Sequence, residues 1–272
     1  MGMKVAIITG ASSGMGKEFA RRLAKEADLY GFSDIEKIWL IARSEDKLTE
    51  LAEELGRNRF RIFALDLTKP EAITAFSLTL QEEKPEIRLL INCAGMGKSG
   101  AFATQSAKDG YDALSLNCTA LTELTSVCLP SMIENGDRSE KKHGPRILNI
   151  ASSAGFLPQP GFAVYAASKS YVINFSRALH RELADHNITV TCVCPGPCDT
   201  NFIKVSKNDP NATFTGFKSK FVTSVDKLIP ASLKAASHGR SMLVFGFGQK
   251  CLHLASKLVP TDLILSIEKK LM

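Results

Sequence analysis

Residues 4–9, Lys-Val-Ala-Ile-Ile-Thr, form an apolar run that ends in Gly10-Ala11-Ser12-Ser13-Gly14-Met15-Gly16. Phe19, Leu23, Ala24 and Ala27 then recur at helical spacing. A strand, a glycine-rich turn and a helix thus follow one another without a gap. Glycines let the backbone come close to a pyrophosphate, and a helix N-terminus offers it unpaired N–H groups and a positive dipole end. Gly10, Ser12, Ser13, Gly14, Met15 and Gly16 are the candidate phosphate-side residues, in the spacing Gly-x-x-x-Gly-x-Gly rather than the commoner Gly-x-Gly-x-x-Gly. The same letters satisfy Gly-x-Ser-x-Gly, the nucleophile elbow of hydrolases, through Gly10, Ser12 and Gly14. Such an elbow normally follows several strands, and its partners here would be a later Asp and His238 or His253. A serine hydrolase built on Ser12 is therefore the second reading.

Strand and helix patterns alternate from there on: 37–42 extended, 46–55 helical, 60–65 extended, 70–82 helical, 89–92 extended, 107–132 helical, 147–151 extended, 162–183 helical, 188–193 and 243–245 extended. This order predicts an α/β fold, a doubly wound parallel sheet of Rossmann type with helices on both faces. With 272 residues and 44% apolar composition the chain supports one large domain, taken as 1–248, with 249–272 as an amphipathic extension. The 28–36 connection is longer than such a unit needs.

Ligands of these sheets bind at the carboxyl ends of the strands. The second strand ends in Ala42-Arg43, where a carboxylate would bind the ribose 2′-hydroxyl of NAD; an Arg suits a 2′-phosphate, which implies NADP(H). A solvated strand-end cation is the plain alternative. Asp66, with Leu67 beside it, ends the third strand and can meet an adenine amino group or cap the next helix. Asn92-Cys93-Ala94-Gly95 ends the fourth.

Tyr165 and Lys169 lie one helical turn apart within 162–183 and should share a face. A phenol of pKa about 10 is a poor acid or base at neutral pH, and lowering it by three units takes about 4 kcal/mol of preferential stabilisation of the phenolate. A fixed ammonium supplies part of that. A serine upstream can hold an oxygen that gains or loses a proton. Alone the pair is a frequent coincidence; it gains weight from the cofactor site that the rest of the chain builds. Asn117 stands among Leu114, Leu116, Leu121 and Leu124, and a buried Asn there needs partners.

The ordered set Thr9-Gly10-x-x-x-Gly14-x-Gly16, Asn92-x-Ala94-Gly95, Asn117, Ser152, Tyr165-x-x-x-Lys169 and Pro195-Gly196 through Thr200 strongly resembles the short-chain dehydrogenase/reductase family over about residues 3–202. The resemblance implies hydride exchange at a carbinol or carbonyl carbon. Tyr165 would be the general acid or base, Ser152 would hold the substrate oxygen, and Lys169 would lower the Tyr165 pKa and bind the nicotinamide ribose. Asn117 would fix a water in the proton relay. Ser153 is the alternative serine, although the thirteen positions from Ser152 to Tyr165 favour Ser152. Asn92, Ala94 and Gly95 would line the adenosine side, and Pro195, Gly196, Cys198 and Thr200 would hold the carboxamide. Helices 107–132 and 162–183 would pair between subunits in a homodimer or homotetramer. The substrate would be a hydrophobic alcohol or ketone, steroid-like or acyl-like. A non-catalytic NADP(H)-binding regulator is a third reading, against which the intact Asn117, Ser152, Tyr165 and Lys169 set argues.

The net charge of +6 is dispersed in mixed-sign helix faces with no long basic run, so nucleic acid is not an expected partner. Seven cysteines in apolar segments, without ligand spacing, read as reduced packing residues, and no metal site is expected. No secretion signal and no transmembrane span is read, and the expected location is cytoplasmic. Residues 201–230 are the expected substrate lid, with Phe202, Ile203, Phe214, Phe217 and Phe221 as its apolar side and Lys204, Lys207, Lys218 and Lys220 interleaved. A plain helical layer is an equal reading of that stretch. The tail 249–272 can lie on a membrane surface or dock on the domain or a neighbouring subunit, and docking is preferred.

Overall fold

The computed structural model describes residues 2–135, 144–213 and 222–271. Its centre is β1 (Lys4–Thr9), whose Val5 to Ile8 have no solvent exposure. Alternate side chains enter opposite layers, as a strand requires. Ala6 and Ile8 join Phe19 and Leu23 of α1 (Gly14–Glu26), Leu48 and Leu51 of α2 (Glu45–Leu55) and Leu228 and Leu233 of α8 (Val225–Ser237). Val5 and Ile7 join Ile73 and Phe76 of α3 (Pro70–Glu83) and Leu124 and Cys128 of α5 (Leu121–Asn135). Burial on both faces explains why the strands read as continuous apolar runs.

The other strands are β2 (Lys37–Ala42), β3 (Phe60–Ala64), β4 (Glu86–Asn92), β5 (Arg146–Ile150), β6 (Thr189–Cys194) and β7 (Met242–Val244). All pair in parallel in the order β3-β2-β1-β4-β5-β6-β7. Winding reverses between β1 and β4, and their carboxyl ends open the crevice where such sheets take ligands. Between β4 and β5, α4 (Ala107–Leu114) runs into α5; α6 (Ala163–Glu182) joins β5 to β6, and α7 (Phe202–Lys207) follows β6. The chain then ends in α9 (Phe247–Leu258) and α10 (Thr261–Leu271).

Three elements differ from the pattern in the sequence. β4 starts three residues before position 89, because Glu86 and Arg88 are buried charges that mask the strand; Arg88 Nε lies 2.9 Å from Asp34 and Nη1 3.6 Å from Glu86. The helix expected over 107–132 reaches Asn135, and its middle turn, Ser115–Ala120, is π-helical. The 28–36 connection holds a 3-10 turn, Ala27–Tyr30, closed by Gly31 at φ +72°, and buries Tyr30, Phe32 and Ile35. Among the described residues all seven cysteines are free, no cluster of metal-ligating side chains occurs, and no helix is long and apolar enough to cross a membrane.

Candidate active site

The glycine-rich turn is shaped for close approach. Gly10 and Gly14 take φ +68° and +52°, which L side chains rarely adopt. A Cβ on Gly16 would stand 2.3 Å from the Gly10 carbonyl oxygen, so α1 starts hard against the end of β1. Ser13, the N-cap of α1, makes no side-chain cap bond, and the first turn carries no acidic residue. Those amides are therefore left for an anion, which the dipole favours. Ser12 is half-buried, Ser13 exposed, and Met15 packs on the core below.

The neighbouring strand ends are tied to this turn. Thr9 Oγ1 accepts from the amides of Cys93 (3.0 Å) and Ala94 (2.9 Å), and a Cβ on Gly10 would come within 3.0 Å of Ala94. Asn92 is buried, and its Nδ2 donates to Thr125 Oγ1 (3.0 Å) and Asn149 Oδ1 (2.9 Å). Its amide is thus spent on holding β4 to β5 and α5, and what reaches the crevice is the Cys93–Gly95 backbone. Arg43 is exposed at the end of β2. Asp66 does not cap α3, whose N-cap is Lys69; its Oδ1 accepts from the Thr68 amide (3.1 Å) and hydroxyl (2.8 Å). Partial burial raises the Asp66 carboxyl, but these two bonds, with Arg43 and Lys69 beyond, carry it below its ordinary value. Leu67 is buried beside it.

At the other side of the crevice β5 delivers Ser152 at the head of the turn Ser153–Phe156. Ser152 Oγ accepts from the Ala154 amide (3.1 Å) and stands near enough to the Tyr165 phenol to draw its pKa down. Ser153 is buried, and its amide donates to the Pro195 carbonyl (2.8 Å), so it links loops while Ser152 faces the tyrosine. Tyr165 and Lys169 share one face of α6, and Lys169 Nζ sits 5.7 Å from the Tyr165 ring centroid and donates to the Ile150 carbonyl (2.9 Å). Burial pushes the Tyr165 phenol up to about 12 against the opposing pull of Ser152. Burial also lowers the Lys169 ammonium. A half-buried tyrosine with a buried cation at its flank is poised to hold a proton and release it when more positive charge arrives.

Asn117 occupies the π-helical turn and is almost wholly buried. Its Oδ1 accepts from the Met96 amide (2.9 Å), and its Nδ2 donates to the Met96 carbonyl (2.8 Å) and Ser168 Oγ (2.9 Å). The wider turn thereby presents a side chain that closes the Gly95–Met96 peptide over Lys169, whose Nζ a Cβ on Gly95 would approach to 3.3 Å.

Beyond β6 the loop keeps Cys198 Sγ 3.4 Å from the Gly196 carbonyl and Thr200 beside Gly14, where a Cβ would meet it at 3.5 Å. Burial pushes the Cys93 and Cys198 thiols up to about 12, so neither is a ready nucleophile. Phe202, at the start of α7, lies 5.1 Å from the Tyr165 ring, and Phe162 lies 4.5 Å from it. Ser99 N bonds to the Ser206 carbonyl (2.9 Å), fixing α7 across the crevice. The lid residues Phe214, Phe217, Lys218, Lys220 and Phe221 lie outside the described residues.

Several contributors carry weak signals in the sequence. Gly97 leaves room for the Tyr165 ring, 2.6 Å from where its Cβ would be, and belongs to the glycine-rich run after Asn92. Gln249 of α9 is buried against Gly196, and His253, one turn on, packs its ring 4.5 Å from Phe156. No local pattern announces that a tail helix touches both loops. His238 Nδ1 donates to the Lys234 carbonyl (2.7 Å) at the end of α8, so each of the two histidines that a Ser12 hydrolase could use is engaged elsewhere.

A family model described as short chain dehydrogenase matches residues 4–211. The chain belongs to that family. It is 36% identical over 207 residues to sulfoacetaldehyde reductase 2 of Chromohalobacter salexigens, covering 74% of this chain and 75% of that protein. It is 32% identical over 212 residues to the 3-oxoacyl-[acyl-carrier-protein] reductase FabG of Vibrio cholerae, with 78% and 80% covered. Among solved structures, the short-chain dehydrogenase of Sphingobium yanoikuyae in complex with NADPH superposes with a TM-score of 0.74 at 30% identity, covering 99% of this chain and 94% of that one. The protein is thus an oxidoreductase of the class that acts on alcohol and carbonyl groups, and the hydrolase reading of Ser12 is overturned.

Proposed function

We propose that this protein interconverts a secondary alcohol and a ketone with NADP(H), on a substrate with a hydrophobic body. The observation that carries the reading is the Ser152–Tyr165–Lys169 cluster, half-buried at the serine and tyrosine and buried at the lysine, opposite a glycine-rich turn shaped for phosphates and walled by Phe162 and Phe202. The nicotinamide, when bound, supplies or accepts the hydride. Gly10, Ser12, Ser13, Gly14, Met15 and Gly16 take the pyrophosphate, Arg43 the 2′-phosphate, Asp66 and Leu67 the adenine side, and Ala94 and Gly95 the ribose side. Gly196, Cys198 and Thr200 border the carboxamide, with Asn92 and Pro195 fixing those loops.

In reduction, Ser152 Oγ holds the carbonyl oxygen beside the Tyr165 hydroxyl, which gives it the proton. Lys169 favours the resulting phenolate, and Asn117 holds the Met96 peptide so that solvent can return the proton by way of Lys169. The aromatic walls exclude water from the reacting carbon. Support for NADP(H) comes from Arg43 standing where a carboxylate would select NAD, and from the Sphingobium relative, which was solved with NADPH. Support for an apolar substrate comes from the two phenylalanines and from a relative, the alcohol dehydrogenase of Comamonas testosteroni described as bulky-bulky ketone specific, 27% identical with a TM-score of 0.73.

The test is fluorescence titration with NADPH and NADH, followed by NADPH consumption against bulky and small ketones. Wild type should prefer NADPH, and Arg43→Asp should lose about ten- to a hundredfold in NADPH affinity while keeping NADH. An unchanged NADPH to NADH ratio would remove the phosphate role from Arg43.

A further inference from the structure

Helix α9 is amphipathic in an unusual sense, because its outward face is the apolar one. The inward face, with Gln249 against Gly196 and His253 against Phe156, fixes the helix to the domain. Its exposed residues are Phe247, Lys250, Cys251, Leu254, Lys257 and Leu258. Phe247 is 84% exposed, Leu254 59% and Leu258 73%. At about 100° per residue, Phe247, Cys251, Leu254 and Leu258 fall within roughly 60° of arc, opposite the docked side, and Lys250 and Lys257 lie together along one flank. The helix contains no acidic residue. Leu263, at the start of α10, adds another exposed apolar side chain beyond Pro260.

We infer that this face seats the enzyme on an anionic phospholipid surface, the apolar stripe entering the headgroup boundary and the two ammonium groups meeting lipid phosphates. An apolar ridge edged by lysines suits that environment, since the stems follow the apolar surface while the charges stay at the phosphate level. A second copy of the chain is a poorer occupant. Pairing α9 with itself would set Lys250 and Lys257 against like charges with no carboxylate on either helix to offset them. The stripe lies on the face turned away from the active-site loops, so seating leaves the crevice unobstructed on that side. It also gives an apolar ketone or alcohol a reservoir from which to enter; that last link alone rests on the proposed substrate class.

The experiment is sedimentation of the full chain with vesicles of pure phosphatidylcholine and of phosphatidylcholine with phosphatidylglycerol, at low and high salt. Wild type should partition onto the anionic vesicles and weaken with salt. Lys250→Gln with Lys257→Gln should lose on the order of thirtyfold, each lysine near an anionic surface being worth about fivefold. Phe247→Ser with Leu254→Ser and Leu258→Ser should abolish partition. NADPH affinity, melting temperature and mass in solution should stay as in wild type, which shows that the variants are folded. Absence of wild-type partition, or partition unchanged in the triple variant, overturns the proposal whatever the ketone panel gives. A triple variant that instead has a smaller mass in solution assigns the stripe to self-association and overturns it equally.

Discussion

At the level of single residues, the proposed catalytic face depends on competition between burial and local polar contacts. Tyr165 is held near 12 by burial, and the Ser152 hydroxyl pulls the other way. In the proposed mechanism the neutral phenol donates in reduction, so reduction should be flat with pH well below the phenol's pKa. Oxidation needs the phenolate, whose fraction rises about tenfold per pH unit below that pKa, so kcat/KM for the alcohol should climb from about pH 7 to about pH 10. Ser152→Ala removes a contribution that lowers the pKa, and the climb should move to higher pH while the rate falls on the order of a hundredfold. Tyr165→Phe should lose at least as much in both directions with NADPH affinity intact. Full turnover by the Phe variant would end the assignment of Tyr165 as proton carrier. The residues of the proposed site stand out in the sequence because Asn117, Ser152, Tyr165 and Lys169 follow one another in a fixed order and spacing behind the glycine-rich turn. Their burial partners do not, because the Met96 peptide, the Ile150 carbonyl and the ring of Phe202 reach the site through tertiary packing that local spacing does not encode.

Among the elements, strands and helices follow their apolar periods closely except where a buried charge or an extra backbone residue intervenes. Glu86 and Arg88 conceal the first half of β4, and the widened turn around Asn117 has no period of its own. The tail helix is the clearest case of an amphipathic pattern that was legible while its orientation was not. On the inward side of α9 Gln249 and His253 make the contacts to the two loops, while Leu254 and Leu258 are left outside. Burial, together with Lys257 and Arg177, lowers the His253 pKa, so the folded chain binds a proton there less readily than the unfolded one. That contribution to stability is complete above the unfolded value of about 6.5 and is lost as pH falls through the folded pKa. Replacing His253 by Phe keeps a ring against Phe156 without the titration. The variant should therefore melt closer to its neutral-pH temperature at about pH 5 than wild type does. Parallel melting curves for the two proteins across that range would show that His253 does not carry the effect.

For the molecule as a whole, the crevice occupies one edge of the sheet, and among the described residues exposed apolar side chains cluster on two helical surfaces outside it. One is the face of α9. The other is on α4, α5 and α6, where Tyr111, Leu114 and Tyr171 are exposed although α6 packs on both its neighbours, with Gly110 of α4 against Val164 and the hydroxyls of Thr122 on α5 and Tyr171 2.7 Å apart. The resemblance to the family places subunit pairing on these helices, and the exposed side chains give that expectation a physical basis. A stable dimer buries about 1,200–2,000 Å² with aromatic residues at its centre, and Tyr111 and Tyr171 are placed to serve there. Lys169 lies one half-turn from Tyr171 on α6, so a partner covering this face would also stiffen the helix that carries the proposed catalytic pair. Light scattering should then give the mass of a dimer or tetramer for the wild type. Tyr111→Lys with Leu114→Lys should yield a smaller particle with lower turnover, because buried unpaired ammonium groups oppose association. The same variant should keep its partition onto anionic vesicles apart from any loss of avidity, since the altered residues stand on a different helix from the lipid-facing stripe. A monomeric wild type, or a double variant of unchanged mass, would show that these helices do not form the subunit interface.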